Sequence, residues 1–146
     1  MTTHLLKFQA AKTLHTSRGT QLLDLSFELE QGRLLTIYGA SGAGKTTILR
    51  ILAGLTDIDS GFISAGEEVW VDTAAKINWP ARKRSVGLVF QDFALFPHLT
   101  VRENLEYAIP KGQDLKIVKE LIEWMDLTEL HDKRPASLSG GQQQRV

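Results

Sequence analysis

The sequence predicts an α/β fold in a single domain, strand-rich over residues 1–91 and helical over 92–146. Three observations lead there. Apolar residues recur with period 2 in the first part, as in "LDLSFELE", where Leu23, Leu25, Phe27 and Leu29 alternate with polar neighbours like a half-buried strand. A continuous apolar run, "RLLTIY", is followed by a glycine-rich stretch and then an amphipathic one, the order of a strand, loop and helix. Beyond Gln91 the apolar spacing becomes helical.

Taken in order, residues 4–9 and 22–30 read as strands, with Gln31 and Gly32 making a turn. Residues 33–38 read as a strand covered on both faces, because no polar residue interrupts the apolar stretch "LLTIY" more than once. Over 45–55, Ile48, Ile51, Leu52 and Leu55 fall on one helical face. Asp57 to Gly61 is turn-like, and 62–72 forms a hairpin arm in which "EEVWVD" alternates again. Pro80 and the basic cluster Arg82-Lys83-Arg84 lead into a second buried strand, "SVGLVF", at 85–90. Thr100 and Glu103 have capping-box spacing, so a helix starts there. Asp114 is placed to cap "LKIVKELIEWMD", whose Leu115, Val118, Ile122 and Met125 form an apolar stripe expected to pack in a core. Pro135 ends that helical stretch, and "SLSGGQQQRV" begins another.

The 146 residues suffice for one ordinary domain, and 42% hydrophobic with 23% charged residues is a globular composition. Seventeen basic side chains balance seventeen acidic ones, so no net field draws the chain onto nucleic acid or an anionic membrane. With no cysteine, neither a disulfide frame nor a thiolate metal site is available, which fits a reducing compartment. The first residues lack a long apolar core behind a basic start, and the longest apolar runs fall far short of the ~20 residues that span a bilayer. A cytoplasmic location is expected.

The chemistry concentrates in "GASGAGKTT", residues 39–47. Gly39, four residues, then Gly44-Lys45-Thr46, between an apolar strand and an amphipathic helix, is the phosphate-binding loop pattern in its required context. Gly39, Gly42 and Gly44 let the backbone curl, so that the amides of Ala40, Ser41 and Ala43 onwards point at phosphate oxygens. The helix start adds its positive dipole end. Lys45 brings a full charge to the terminal phosphates, while the Thr46 hydroxyl, followed by Thr47, suits Mg²⁺, a hard cation that prefers oxygen. Gln91 is expected at the C-terminal edge of the second buried strand, where its amide oxygen is placed for Mg²⁺ or a water. The apolar residues after it, Phe93, Leu95, Phe96 and Leu99, either fill a core or form a groove for a partner. In "LSGGQ", Leu138 to Gln142, Ser139 is a helix cap whose following amides at Gly140, Gly141 and Gln142 are unobstructed, an anion-binding arrangement.

Phosphate loop, then Gln91, then LSGGQ, in that order, resembles the ATP-binding subunit of an ABC transporter, from about residue 20 to the end. "SGAGKTT", "VGLVFQDFALFPHLTVRENL" and "GEEVWVD…WPARKRSVG" are similar to importer ATPases for small oxyanions, especially molybdate. The resemblance implies a P-loop NTPase, RecA-like core with an antiparallel β subdomain and the start of a helical one. It implies that Gly39 to Thr47 is the Walker A loop, Gln91 the Q-loop residue, and Leu138 to Gln142 the signature. It further implies ATP and Mg²⁺ as ligands, with Thr46 and Gln91 toward the metal and Lys45 and Gln91 assisting catalysis. Partners by the same resemblance are a second such subunit, head to tail, whose ATP the signature contacts, and a membrane permease docked on the apolar stretch after Gln91. The protein is then peripheral at the cytoplasmic face of the membrane.

The sequence departs from the family in two places. Where an aromatic ring stacks on adenine, this chain offers only Leu14 or His15. The Asp-Glu strand and the later histidine that follow the signature in the family have no counterpart in residues 1–146, and His98 lies on the wrong side of the signature to replace the latter. The chain thus reads as the N-terminal part of a subunit, expected to bind nucleotide weakly without turning it over, with Gln142 to Val146 frayed unless a partner pins them and apolar strand edges open to association. Rival readings are a GTPase, disfavoured by the absence of Asn-Lys-x-Asp and of Asp-x-x-Gly after the loop, a non-transport ABC ATPase, and a non-catalytic docking or dimerisation fragment.

Overall fold

The period-2 segments fold as the sequence pattern demands. A computed structural model describes residues 4–16, 19–110 and 112–146, with only the backbone of His4 and Thr16 described. The chain divides into two compact units, Met1–Leu88 and Val89–Val146.

The first unit is built on a five-stranded sheet of order β2-β1-β3-β4-β5, where β1 is His4–Thr16, β2 Gly19–Glu30, β3 Ser60–Ala65, β4 Glu68–Asp72 and β5 Ile77–Asn78. Every ladder among the described residues is antiparallel. Helix α1, Lys45–Leu52, lays Ile48 and Ile51 against Phe8, Ala10, Ile63, Trp70 and Val71. Phe8 stacks on its cross-strand partner Phe27, ring centroids 4.8 Å apart. Burying side chains of this size stabilises by about 1.5–3 kcal/mol each.

Strand β1 runs on to residue 16, well past the expected 4–9, because it pairs with β2 along its whole length and with β3 over Leu6–Ala11. Helix α1 stops at Leu52 rather than near Leu55, the turn closing on Gly54 at φ 72°.

Two expectations are corrected here. Residues 33–38 and 85–90, read as buried core strands, form no ladder among the described residues. A strand apolar on both faces needs hydrogen-bonded neighbours at its edges and cover above and below. Residues 33–38 have cover on one side only: Ile37 packs against the core, whereas Leu34 is 93% and Tyr38 97% exposed. Val89, at 94%, is equally uncovered.

The second unit gathers Val101, Val118, Ile122, Leu127 and Leu138 into a separate core. Its helices are α2, Val101–Tyr107, α3, Lys116–Trp124, and α4, Gly140–Gln143. Within the expected stripe on α3, Val118 and Ile122 are buried, but Leu115 and Met125 are exposed. Asp114 accepts from the Lys116 amide at 2.9 Å, although Leu115 occupies the cap position. The expectation that Gln142 to Val146 fray is also corrected. Gln143 donates to the carbonyls of Pro135 and Leu138, Arg145 to that of Met125, and Val146 packs on the second core. Tertiary contacts, not helix length, hold this segment.

The capping box at α2 is formed as its spacing predicts: the Thr100 side chain accepts from Glu103 N, and Glu103 Oε2 accepts from Thr100 N at 2.7 Å. That backbone hydrogen bond holds the Glu103 pKa below the ordinary value of 4.5. A depressed carboxylate stabilises the fold above its unfolded pKa, and the contribution is lost as pH falls through the folded one. Thr100→Ala is therefore expected to cost about 1 kcal/mol. Glu103→Gln should flatten the loss of stability on acidification below about pH 4.5. Urea titrations at neutral and acidic pH check both.

Candidate phosphate-binding site

Residues 39–47 join the extended run 33–38 to α1. The backbone is curled, not straightened: Gly42 and Gly44 have φ of 83° and 87°, and Ala43 N donates to Ala40 O at 3.2 Å. These left-handed angles are why glycine stands at both positions. Gly44 is the residue preceding α1, and no side chain caps the helix. The first amides of a helix have no partner within it, so those of Lys45 and the residues after it face outward unclaimed by any capping group.

Lys45 folds back over the curl. Its Nζ donates to Gly39 O at 2.8 Å and Ala40 O at 2.7 Å, placing the ammonium across the loop mouth. Ser41, Gly42 and Thr46 are exposed and Thr47 is half-buried. Uncapped backbone donors, a lysine ammonium and an exposed hydroxyl are the chemistry that an oligophosphate and its Mg²⁺ require.

The β1–β2 hairpin reaches this loop. A Cβ built on Gly44 would stand 3.3 Å from Leu14 Cδ1 and 3.4 Å from Leu23 Cδ1. Of the two residues expected near the base, then, Leu14 lies beside the loop. His15, its neighbour on the opposite face of the strand, sits with Nδ1 3.5 Å from Thr20 Oγ1.

The remaining expected site residues lie in the second unit. With the 85–90 strand unformed, Gln91 opens a turn instead of ending a strand, and it is exposed. Phe93 and Ala94 follow at positive φ, 62° and 52°. Leu138 is buried in the second core, while Ser139, Gly140 and Gly141 are exposed on the surface above it. Ser139 and Gln142 form a second capping box: Gln142 N donates to Ser139 Oγ at 3.3 Å, and Ser139 N to Gln142 Oε1 at 2.8 Å. The Gln142 side chain is thus turned back on its own helix start. A Cβ at Gly140 or Gly141 would meet nothing within 4 Å, so access to their amides is open.

Two residues matter more than their sequence context suggests. Asn104, buried on α2, accepts from Phe96 N at 2.8 Å and donates to the carbonyls of Phe96, Leu99 and Thr100, which pins the segment after Gln91 to α2. Arg84, read only as part of a basic cluster, is buried and fully engaged. The second unit also has a cavity of about 540 Å³ between α2 and α3, lined by Arg102, Glu106, Leu115, Val118, Lys119 and Ile122 among others. No helix among the described residues is long and apolar enough to cross a membrane.

Residues 22–146 match the family model described as "ABC transporter". The chain is 43% identical over 133 residues to a spermidine/putrescine import ATP-binding protein, PotA, of Aggregatibacter actinomycetemcomitans, and 41% identical to the protein of that name in Haemophilus influenzae. Each alignment covers 87% of this chain and 34% of the relative, so the chain spans about a third of their length. Among solved structures it is similar to a "dimeric structure of a post-hydrolysis state of the ATP-binding cassette MJ0796 bound to ADP and Pi", with a TM-score of 0.73 and 27% identity, over 96% of this chain and 66% of that one. The fold is that of an ATP-binding cassette. The expected likeness to molybdate importers finds no support in these relatives, whose names specify polyamines.

Proposed function

The chain belongs to the ABC transporter family, and from that premise we propose that it binds MgATP as part of an ATP-driven importer of polyamines. One observation carries the nucleotide reading: a glycine-curled loop with Lys45 across its mouth, running into a helix whose first amides no side chain caps. Backbone amides of residues 40–46 hold the phosphates, and Lys45 exchanges its two carbonyl partners for phosphate oxygens. The Thr46 hydroxyl holds Mg²⁺, which when bound neutralises phosphate charge. Leu14 provides an apolar surface for the base in place of a stacked ring.

Gln91 keeps its proposed part as an amide oxygen for metal or water, and Ser139, Gly140 and Gly141 offer open donors to a nucleotide carried by a second copy. Coupling of ATP hydrolysis to import, docking on a permease and a peripheral place at the membrane complete the proposal. The polyamine class comes from the names of the relatives.

Calorimetric titration with ATP tests the first step. Saturable binding that weakens when EDTA removes Mg²⁺ is the expected result. Absence of saturation at millimolar ATP, with Mg²⁺ present, overturns the nucleotide reading.

A further inference from the structure

Arg84 makes contacts out of proportion to its place on a surface loop. It is 6% exposed. Nη1 donates to Ile51 O at 2.7 Å and Leu52 O at 3.0 Å, the carbonyls of the last turn of α1. Nε donates to Trp79 O at 3.0 Å and Nη2 to Asn78 Oδ1 at 3.3 Å. The guanidinium also lies 5.7 Å from the centroid of the Trp70 ring. Asn78 is itself tied to Asp57, its Nδ2 2.9 Å from Oδ1. A Cβ on Gly54 would come within 2.9 Å of Arg84 Nε, so the glycine there leaves room for the guanidinium.

The last carbonyls of a helix have no internal partner, and its C-terminal end carries partial negative charge. At α1, Ile51 O already accepts from Gly54 N at 3.0 Å; the buried guanidinium is a second donor there and a donor to Leu52 O, beside the partial negative charge of the helix end, and its fork geometry lets one side chain address two helix carbonyls and two hairpin acceptors together. The opposite end of α1 begins at Lys45. Eight helical residues make a rod of roughly 12 Å, so fixing one end sets the direction of the amides and of Lys45 at the other. Lys45 opens α1, and Arg84 holds the carbonyls of its last turn.

We propose that Arg84 is a positioning residue for the phosphate loop: by clamping the C-terminal turn of α1 to the β4–β5 hairpin, it fixes the aim of the donors at the N-terminal turn. This rests on the nucleotide-binding reading above. A residue that served only to stabilise the unit would lower its melting temperature without changing what the folded loop binds.

The test uses the whole chain. Arg84→Met, Arg84→Lys and the control Phe27→Leu, which loosens the sheet core at a residue outside the hydrogen-bond partners of Arg84, are compared at a temperature where each is folded. Two quantities are read: the Kd for MgATP and the backbone amide chemical shifts of Gly44, Lys45 and Thr46 without nucleotide. The expected result is an affinity loss on the order of tenfold or more for Arg84→Met, since small misplacements of positioned groups are costly. Shifted Gly44–Thr46 amides and partial recovery in Arg84→Lys should accompany it, with Phe27→Leu less stable but within about twofold in Kd. Unchanged amides and unchanged Kd in a destabilised Arg84→Met would overturn the proposal. If Arg84→Met does not fold, Arg84→Lys decides by the same two readings, because one ammonium cannot reach all four acceptors. If the unmodified chain does not bind ATP, the functional reading fails, and the amide shifts alone decide whether Arg84 aims the loop.

Discussion

Replacing Lys45 with alanine is expected to weaken MgATP binding by about tenfold to a hundredfold, the worth of a hydrogen bond to a charged group. The same change removes the ammonium that bridges Gly39 O and Ala40 O, so the empty loop should loosen as well. Titration calorimetry reads the first effect, and amide hydrogen exchange over residues 39–47 the second. Lys45→Arg, which keeps the charge with a different reach, should fall between the two. An alanine variant that binds as tightly as the unmodified chain would mean the phosphates are held elsewhere.

The largest effect on stability is expected from Gly61→Ala. Gly61 has φ 141° and pairs with Ala10 on β1. A Cβ there would collide with the carbonyl oxygen of Gln9 and stand 2.9 Å from Ala10 Cα. Relief by backbone movement is blocked on the other side, since Gly61 N donates to Thr73 Oγ1 at 3.0 Å and Gly61 O accepts from Thr73 N at 3.1 Å. A loss of about 3–5 kcal/mol in the first unit follows, near the top of the range for point substitutions. Urea unfolding followed by the fluorescence of buried Trp70 measures it.

What could be read from the sequence was what depends on neighbours in the chain. The capping box at Thr100 and the cap at Ser139 close within three residues, and the curl at 39–47 is spelled by its own glycines; the return bond from Gln142 that completes a second box comes from the structure alone. The larger failures are non-local. "RLLTIY" and "SVGLVF" have strand composition, but pairing is a property of what lies alongside, and none of the described residues does. Arg84 reads only as one member of a basic cluster because its partner Ile51 is 33 positions away. Leu14 was one of two options for the base side, and only the register of a long hairpin places it beside Gly44. The oxyanion likeness rests on "SGAGKTT" in the nucleotide loop and on stretches within 66–105, and the relatives named for spermidine and putrescine give it no support.

The Asn104 amide has a mechanical consequence. With four hydrogen bonds to Phe96, Leu99 and Thr100, it welds residues 96–100 to α2 as one stiff arm. Gln91 sits just outside the weld, separated from it by a short stretch in which Phe93 and Ala94 hold left-handed angles. Residues 92–95 take no part in these four bonds, so they alone join Gln91 to the arm along the chain.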